Sequence, residues 1–279
     1  MTTFLSEQII NLGSFLSATF GLTLSVALLL RVSQKVAIYL AIRYNGFRCL
    51  YFTGILGVPI HELSHAATAI LFNHNVRAIS LFKPNRQTGE LGCVEHSYSN
   101  TAYQQVGCFF VAIAPLFGGA LALYLLNYFL FPQLNDWLAN IHINTTLSMA
   151  EALHALTAVL WFADYTTIVH YFNFSWSHGI WLYAACAISL HMSPSRADLR
   201  NMWPGLFLLL SIVFVLFIFV PTGVHSLGIE LQKASIIFAR MLLLATVLSA
   251  IPLLLLCVML VVKKCIYLVK RSTLHDIKS

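Results

Sequence analysis

Apolar runs of bilayer-spanning length recur along this chain, and they limit its fold more than any other feature. A helix needs about 20 mostly apolar residues to cross a membrane. The first run is Leu12 to Leu30; Arg31, Lys35, Arg43 and Arg48 follow it, with the short apolar stretch Val36 to Ile42 among them, expected at the interface. The second is Cys49 to Phe72 and the third Val106 to Phe131. The fourth, Met149 to Phe172, is interrupted by Glu151, His154, Asp164 and His170. The fifth, Gly179 to Met192, is short; the sixth is Trp203 to Val220 and the seventh about Phe238 to Val262. Only 9% of residues are charged, against about 25% in soluble domains, so a water-facing surface could not be covered. The expected fold is an all-α multi-spanning membrane protein of about six to seven transmembrane helices, forming a single integral-membrane domain over residues 1–279.

The net charge of +6 does not point to nucleic acid. The cations fall at the ends of the apolar runs, where they meet headgroups and set orientation. With all seven runs spanning, Arg31, Lys35, Arg43, Arg48, Arg196, Arg200 and the tail lysines and Arg271 share one side, while Arg77, Lys83, Arg86, Lys233 and Arg240 lie on the other. That bias predicts a multi-pass protein of the plasma (inner) membrane with a cytoplasmic C-terminus. Its surroundings are a lipid bilayer and no nucleic acid. Residues 1 to 11 hold no Lys or Arg and include Glu7, so the first run is expected to stay as an anchor rather than leave as a signal. The six cysteines are scattered without paired spacing and read as small core residues.

One stretch reads as strand. Val76 to Phe82 partly alternates polar and apolar residues, Lys83 to Glu90 carries Pro84, Asn85 and Gly89, and Leu91 to Tyr98 resumes the alternation. This predicts a small β-hairpin over residues 76–98. An open strand edge cannot face lipid, so the hairpin belongs at the surface or in a protein-lined cavity.

The second run contains His61-Glu62-Leu63-Ser64-His65. Residues four apart on a helix share a face, so His61 and His65 can turn ring nitrogens to one zinc ion. Glu62 projects at a neighbouring angle and suits a general base towards the activated water. Ionisable groups at membrane depth cost roughly 2.5–3.5 kcal/mol each on the insertion scale and mark function by default. Pro59 loosens the helix just before the motif. Gly54 and Gly57, and the Ala114-Pro115-Leu116-Phe117-Gly118-Gly119 stretch of the third run, permit close approach of neighbouring helices.

A catalytic zinc takes a third protein ligand, and two neutral imidazoles plus Glu62 leave room for one more anion. Asp198 is the first choice, because Pro194 breaks an apolar run and frees a short irregular segment to aim a side chain inward. The alternative role for Asp198 is capping a following helix. Asp164 is the second candidate, with His191 and Glu151 behind it.

Gly57 to Ala66, the hairpin with Thr88 to Gly92, the Ala114-Pro115 helix and the later Ser193-Pro194-Ser195-Arg196-Ala197-Asp198 segment together resemble the M50-type (site-2-protease-like) intramembrane zinc metalloprotease family. The resembling parts cover roughly residues 50 to 205, and no accessory domain is seen, as in a compact, core-only member. The resemblance implies a membrane-embedded motif helix, a metalloprotease core over about residues 48–205, Zn²⁺ on His61, His65 and Asp198, and Glu62 as catalytic base. It departs from the family pattern where Leu199, not Gly, follows the Asp. C-terminal helices over about 203–262 and a cytoplasmic tail over 263–279 complete the expected layout. The function so implied is hydrolysis of peptide bonds in membrane-anchored protein substrates, for which the hairpin edge offers a strand-pairing surface. The competing classes are a zinc-dependent membrane hydrolase of a lipid or small amide, and a non-catalytic metal-binding membrane scaffold.

Overall fold

In a computed structural model of the chain, residues 2–45, 48–140 apart from 86 and 88, and 175–276 are described. Eight helices and two strands follow one another among them. Helix α1 (Thr2–Asn45) leads to α2 (Arg48–Leu71), strands β1 (Asn75–Ser80) and β2 (Cys93–Ser97), α3 (Ala102–Leu130) and α4 (Pro132–Ala139). After the gap come α5 (Trp176–His191), α6 (Arg196–Arg200), α7 (Trp203–Phe219) and α8 (Pro221–Asp276). The fourth apolar run, with Glu151 and Asp164, lies outside the described residues.

Ser6–Tyr44, Ala102–Leu130 and Ser226–Met259 are each long and apolar enough to cross a membrane; a fourth arises if Trp176–Arg200 and Trp203–Phe219, which meet at 87°, form one bent span. Among the described residues this count does not confirm the six to seven expected, and three of the runs fall short for physical reasons. His61, Glu62, Ser64 and His65 dilute the hydropathy of α2. Helices α5 and α7 have 16 and 17 residues, short of the roughly 20 that a straight crossing needs. The first run does not end at Leu30: α1 continues through Val36 to Ile42 and beyond as one helix.

The core lies where α1, α3, α4, α5 and α8 meet. Leu30, Leu123, Leu138, Ala185 and Leu242 are fully buried there, with Trp181 against Phe131. Asn127, also fully buried, donates to Asn135 and accepts from the Trp181 indole, 2.8 Å away. Outward, large apolar side chains such as Leu24, Phe129, Phe219 and Leu254 stand exposed, a surface suited to acyl chains rather than water. Within lipid, helices gain nothing by hiding apolar area from one another, so close packing and interhelical hydrogen bonds hold them. Accordingly, α1 and α8 are tied by Thr23–Ser235 at 2.6 Å and Ser33–Ser249 at 2.8 Å.

The motif helix passes through Pro59 without a break and ends in a Schellman motif. Asn73 adopts the left-handed conformation (φ 57°), the His74 amide donates to the Ala69 carbonyl at 2.8 Å, and the Asn73 amide donates to Ile70 at 3.0 Å. The chain is thereby turned straight into β1. The strands pair antiparallel, Asn75 with Ser97 through Ser80 with Cys93, with an irregularity between Val76 and Ala78. They are shorter than expected: Leu81, Phe82, Leu91 and Gly92 lie outside the paired strands.

Candidate metal centre

Helical spacing stacks the two motif histidines one turn apart on α2, with Nε2 atoms 3.1 Å from each other. The Asp198 Oδ2 atom lies 3.8 Å from His61 Nε2 and 3.5 Å from His65 Nε2. A tetrahedral ion with bonds of about 2.0–2.2 Å needs its ligand atoms about 3.4 Å apart. The three edges of this triangle bracket that length, so the donor set suits an ion of that size. Among the described residues, this is also the group of three metal-ligating side chains that converges in this way.

Backbone carbonyls fix which nitrogen of each ring faces the centre. His61 Nδ1 donates to the His191 carbonyl at 2.6 Å, and His65 Nδ1 donates to the Val111 carbonyl at 2.8 Å. Each bond places the ring proton on Nδ1 and leaves a lone pair on Nε2, the tautomer that a metal ligand requires. Both acceptors are carbonyls that their own helices leave free. Pro115, inside α3, has no N–H to return to residue 111, four positions earlier. His191 ends α5, so its carbonyl is among the four that a helix C-terminus cannot satisfy.

Asp198 takes the capping role weighed for it and also lies beside the two imidazoles. It occupies the third position of α6 in a capping box: its Oδ2 accepts from the Ser195 amide at 2.6 Å, and the Ser195 hydroxyl accepts from the Asp198 amide. The cap holds the carboxylate against the two imidazoles. Of the other candidates, Asp164 and Glu151 fall outside the described residues. His191 contributes its carbonyl, while its ring Nε2 pairs with the Thr53 hydroxyl at 3.0 Å. The candidate site is thus assembled from α2, α3, the end of α5 and α6.

Glu62 is buried beside the pair. A Cβ on Gly92 would lie 2.9 Å from Glu62 Cγ and 2.8 Å from the Ser80 carbonyl, so the hairpin rests directly on the motif helix. On the other flank, a Cβ on Gly57 would come within 2.7 Å of the His191 ring, and Gly118 of α3 abuts Ser64. The glycine positions expected to allow close approach therefore do so on both sides of the motif. A cavity of about 750 Å³ contains His61, Glu62, His65 and Asp198 in its lining, together with residues Gly89 to His96 of the hairpin.

At the root of the hairpin, His74 Nε2 donates to the Gln104 carbonyl at 2.9 Å, leaving its Nδ1 to accept from His96 Nδ1 at 3.0 Å. Burial, then the neighbouring His74 and more distant His65, hold the His96 ring below the ordinary histidine range, consistent with that neutral pairing. The Gln104 side chain donates to the Asn73 carbonyl at 2.6 Å and the Tyr103 hydroxyl to the Leu71 carbonyl at 2.8 Å. These bonds clamp the hairpin between the end of α2 and the start of α3.

Sequence reading did not find Thr53, Val111, Gly92 or the carbonyl role of His191. Only Val111 carries a local signal, in the proline four residues ahead. Comparison with protein-family models, curated proteins and solved structures yields no match to this chain.

Proposed function

We propose that this chain is a membrane-embedded zinc endopeptidase that hydrolyses peptide bonds of membrane-anchored proteins, as its resemblance to the site-2-protease-like family implies. One observation carries the reading: His61, His65 and Asp198 bring their donor atoms within 4.8 Å of one another, beside a buried Glu62 in a shared cavity. A structural metal site has no need of such a carboxylate. The bundle is a multi-pass inner-membrane protein, and the lysines of its C-terminal segment put that end in the cytoplasm.

Bound by the three ligands, a zinc ion would supply Lewis acidity that activates water and polarises the scissile carbonyl. The rest falls to the chain's own residues. The Glu62 carboxylate takes a proton from the attacking water and returns it to the leaving amide nitrogen as the C–N bond breaks. The Val111 and His191 carbonyls keep both Nε2 lone pairs directed at the centre through the cycle. Residues Gly89 to Glu95 border the cavity, so a transmembrane substrate unwinds locally and pairs along the hairpin as an added strand.

The test uses the full chain purified in neutral detergent with a panel of single-span membrane proteins. Wild type binds one equivalent of zinc and cleaves at least one member. Glu62→Gln retains zinc and loses about 10²–10⁴-fold in rate, the worth of a general base. Asp198→Ala loses zinc as well as cleavage. Equal zinc in wild type, Asp198→Ala and His65→Ala, or undiminished cleavage by Glu62→Gln, overturns the reading.

A further inference from the structure

The cavity that holds the metal triad is not electrically uniform. The hairpin lends it charges of both signs, Arg77 with Glu90 and Glu95. Its lining from α1 and the start of α6 is different: Arg31, Lys35 and Arg196 all line it, and Lys35 lies within electrostatic reach of both arginines. Lys35 and Arg196 are exposed and form no ion pair among the described residues. Arg31 donates to the Pro194 carbonyl, which uses one of its five donors. Asp198, two residues from Arg196, is committed to the two histidines and the Ser195 amide. Three cations therefore line one wall of the cavity and form no ion pair among the described residues, with Arg196 two residues along the chain from Asp198.

We propose that Arg31, Lys35 and Arg196 form an anion-recognising subsite that selects peptide substrates carrying acidic side chains next to the scissile bond. This rests on the peptidase reading above and names its substrate class. A peptide is favoured over an anionic lipid headgroup because these cations share a cavity with Glu62 and the metal triad, rather than lying only on the outer surface. A strand laid along the hairpin has one flank beside the reaction centre and carries its neighbouring side chains to the α1–α6 wall. Acidic residues there meet charge-assisted donors, while basic ones are repelled.

Two fluorescein-labelled ten-residue peptides, identical except for Glu or Gln at three positions, are titrated against the full chain carrying Glu62→Gln, in neutral detergent. The acidic peptide binds about tenfold more tightly, the worth of one charge-assisted contact, and the ratio shrinks as salt rises. Adding Lys35→Gln and Arg196→Gln brings the ratio to about one, and Lys35→Glu with Arg196→Glu reverses it in favour of a Lys-substituted peptide. Because reversal is a gain, a variant that merely misfolds cannot imitate it. Equal affinities, no binding of either peptide, or a ratio abolished when phosphatidylglycerol is mixed into the micelles overturns the subsite; the last result would make the cations a headgroup site. Cleavage by wild type without charge discrimination removes the subsite alone. Discrimination without cleavage of any substrate removes the peptidase reading alone.

Discussion

At residue 92 the chain has no side chain, and Glu62 stands upright because of it. Any Cβ there would press on Glu62 Cγ, the Ser80 carbonyl and Val58 at once, with 2.8–2.9 Å separations. Two of the three neighbours are backbone or a β-branched side chain, so Glu62 would be the group to yield. Gly92→Ala is therefore expected to lower the cleavage rate about 10²-fold, the usual result of displacing a catalytic group by about an ångström, while zinc content stays at one equivalent. Loss of zinc in that variant would show that the hairpin holds the metal triad rather than the base. The motif itself was legible in the sequence because its ligands are four residues apart and helical geometry does the rest. Asp198 was legible as a carboxylate at a proline break, and the oxygen that caps α6 is the one that lies beside the imidazoles. Gly92 was not legible: its importance comes from a chain crossing thirty residues away, which leaves no local trace.

At the scale of elements, α3 serves the site through a defect. Pro115 removes one hydrogen bond from that helix and thereby exposes the Val111 carbonyl to His65. Pro115→Ala would return an N–H to residue 115 and make Val111 share its carbonyl. The helix should gain stability, since an interior proline costs about 3 kcal/mol, and the site should lose zinc affinity by about tenfold, the lower end for altering an outer-shell partner. Competition against a chelator of known affinity measures the second, and thermal unfolding in detergent the first. Unchanged affinity would mean that the carbonyl's second lone pair suffices for both partners. The hairpin was legible from its alternation and its Pro/Asn/Gly turn, although the strands are trimmed to Asn75–Ser80 and Cys93–Ser97. Helix ends were less so. Hydropathy marks where lipid is tolerated, not where a helix stops. No Gly or Pro interrupts residues 31–45, so α1 runs on past its apolar run, and α8 likewise continues to Asp276.

For the molecule as a whole, the N-terminal helix belongs to the site although it lies outside the region that carries the family resemblance. Buried Gln34 donates its amide to the Ser189 carbonyl at 2.5 Å, and Arg31 reaches the Pro194 carbonyl. Both acceptors flank His191, whose own carbonyl orients His61, and Pro194 leads directly into the capping box that presents Asp198. Helix α1 is in turn secured to α8 by the serine and threonine pairs along their shared face. The path from α8 through α1 to the metal triad is thus a chain of named hydrogen bonds, and its two halves are separable. Gln34→Ala strands a buried carbonyl at the end of α5, costing about 1–3 kcal/mol, and frees the segment that supplies both an outer-shell acceptor and the third ligand. Zinc affinity should fall about tenfold, with faster release to a chelator. Ser33→Ala or Ser249→Ala breaks only the α1–α8 tie, a loss of about 0.6 kcal/mol for a typical interhelical bond in a membrane, and should leave zinc release at the wild-type rate. If the serine variants release zinc as fast as Gln34→Ala, α1 acts on the site by general loosening of the bundle; if neither changes it, the last turn of α5 holds its position without help from α1.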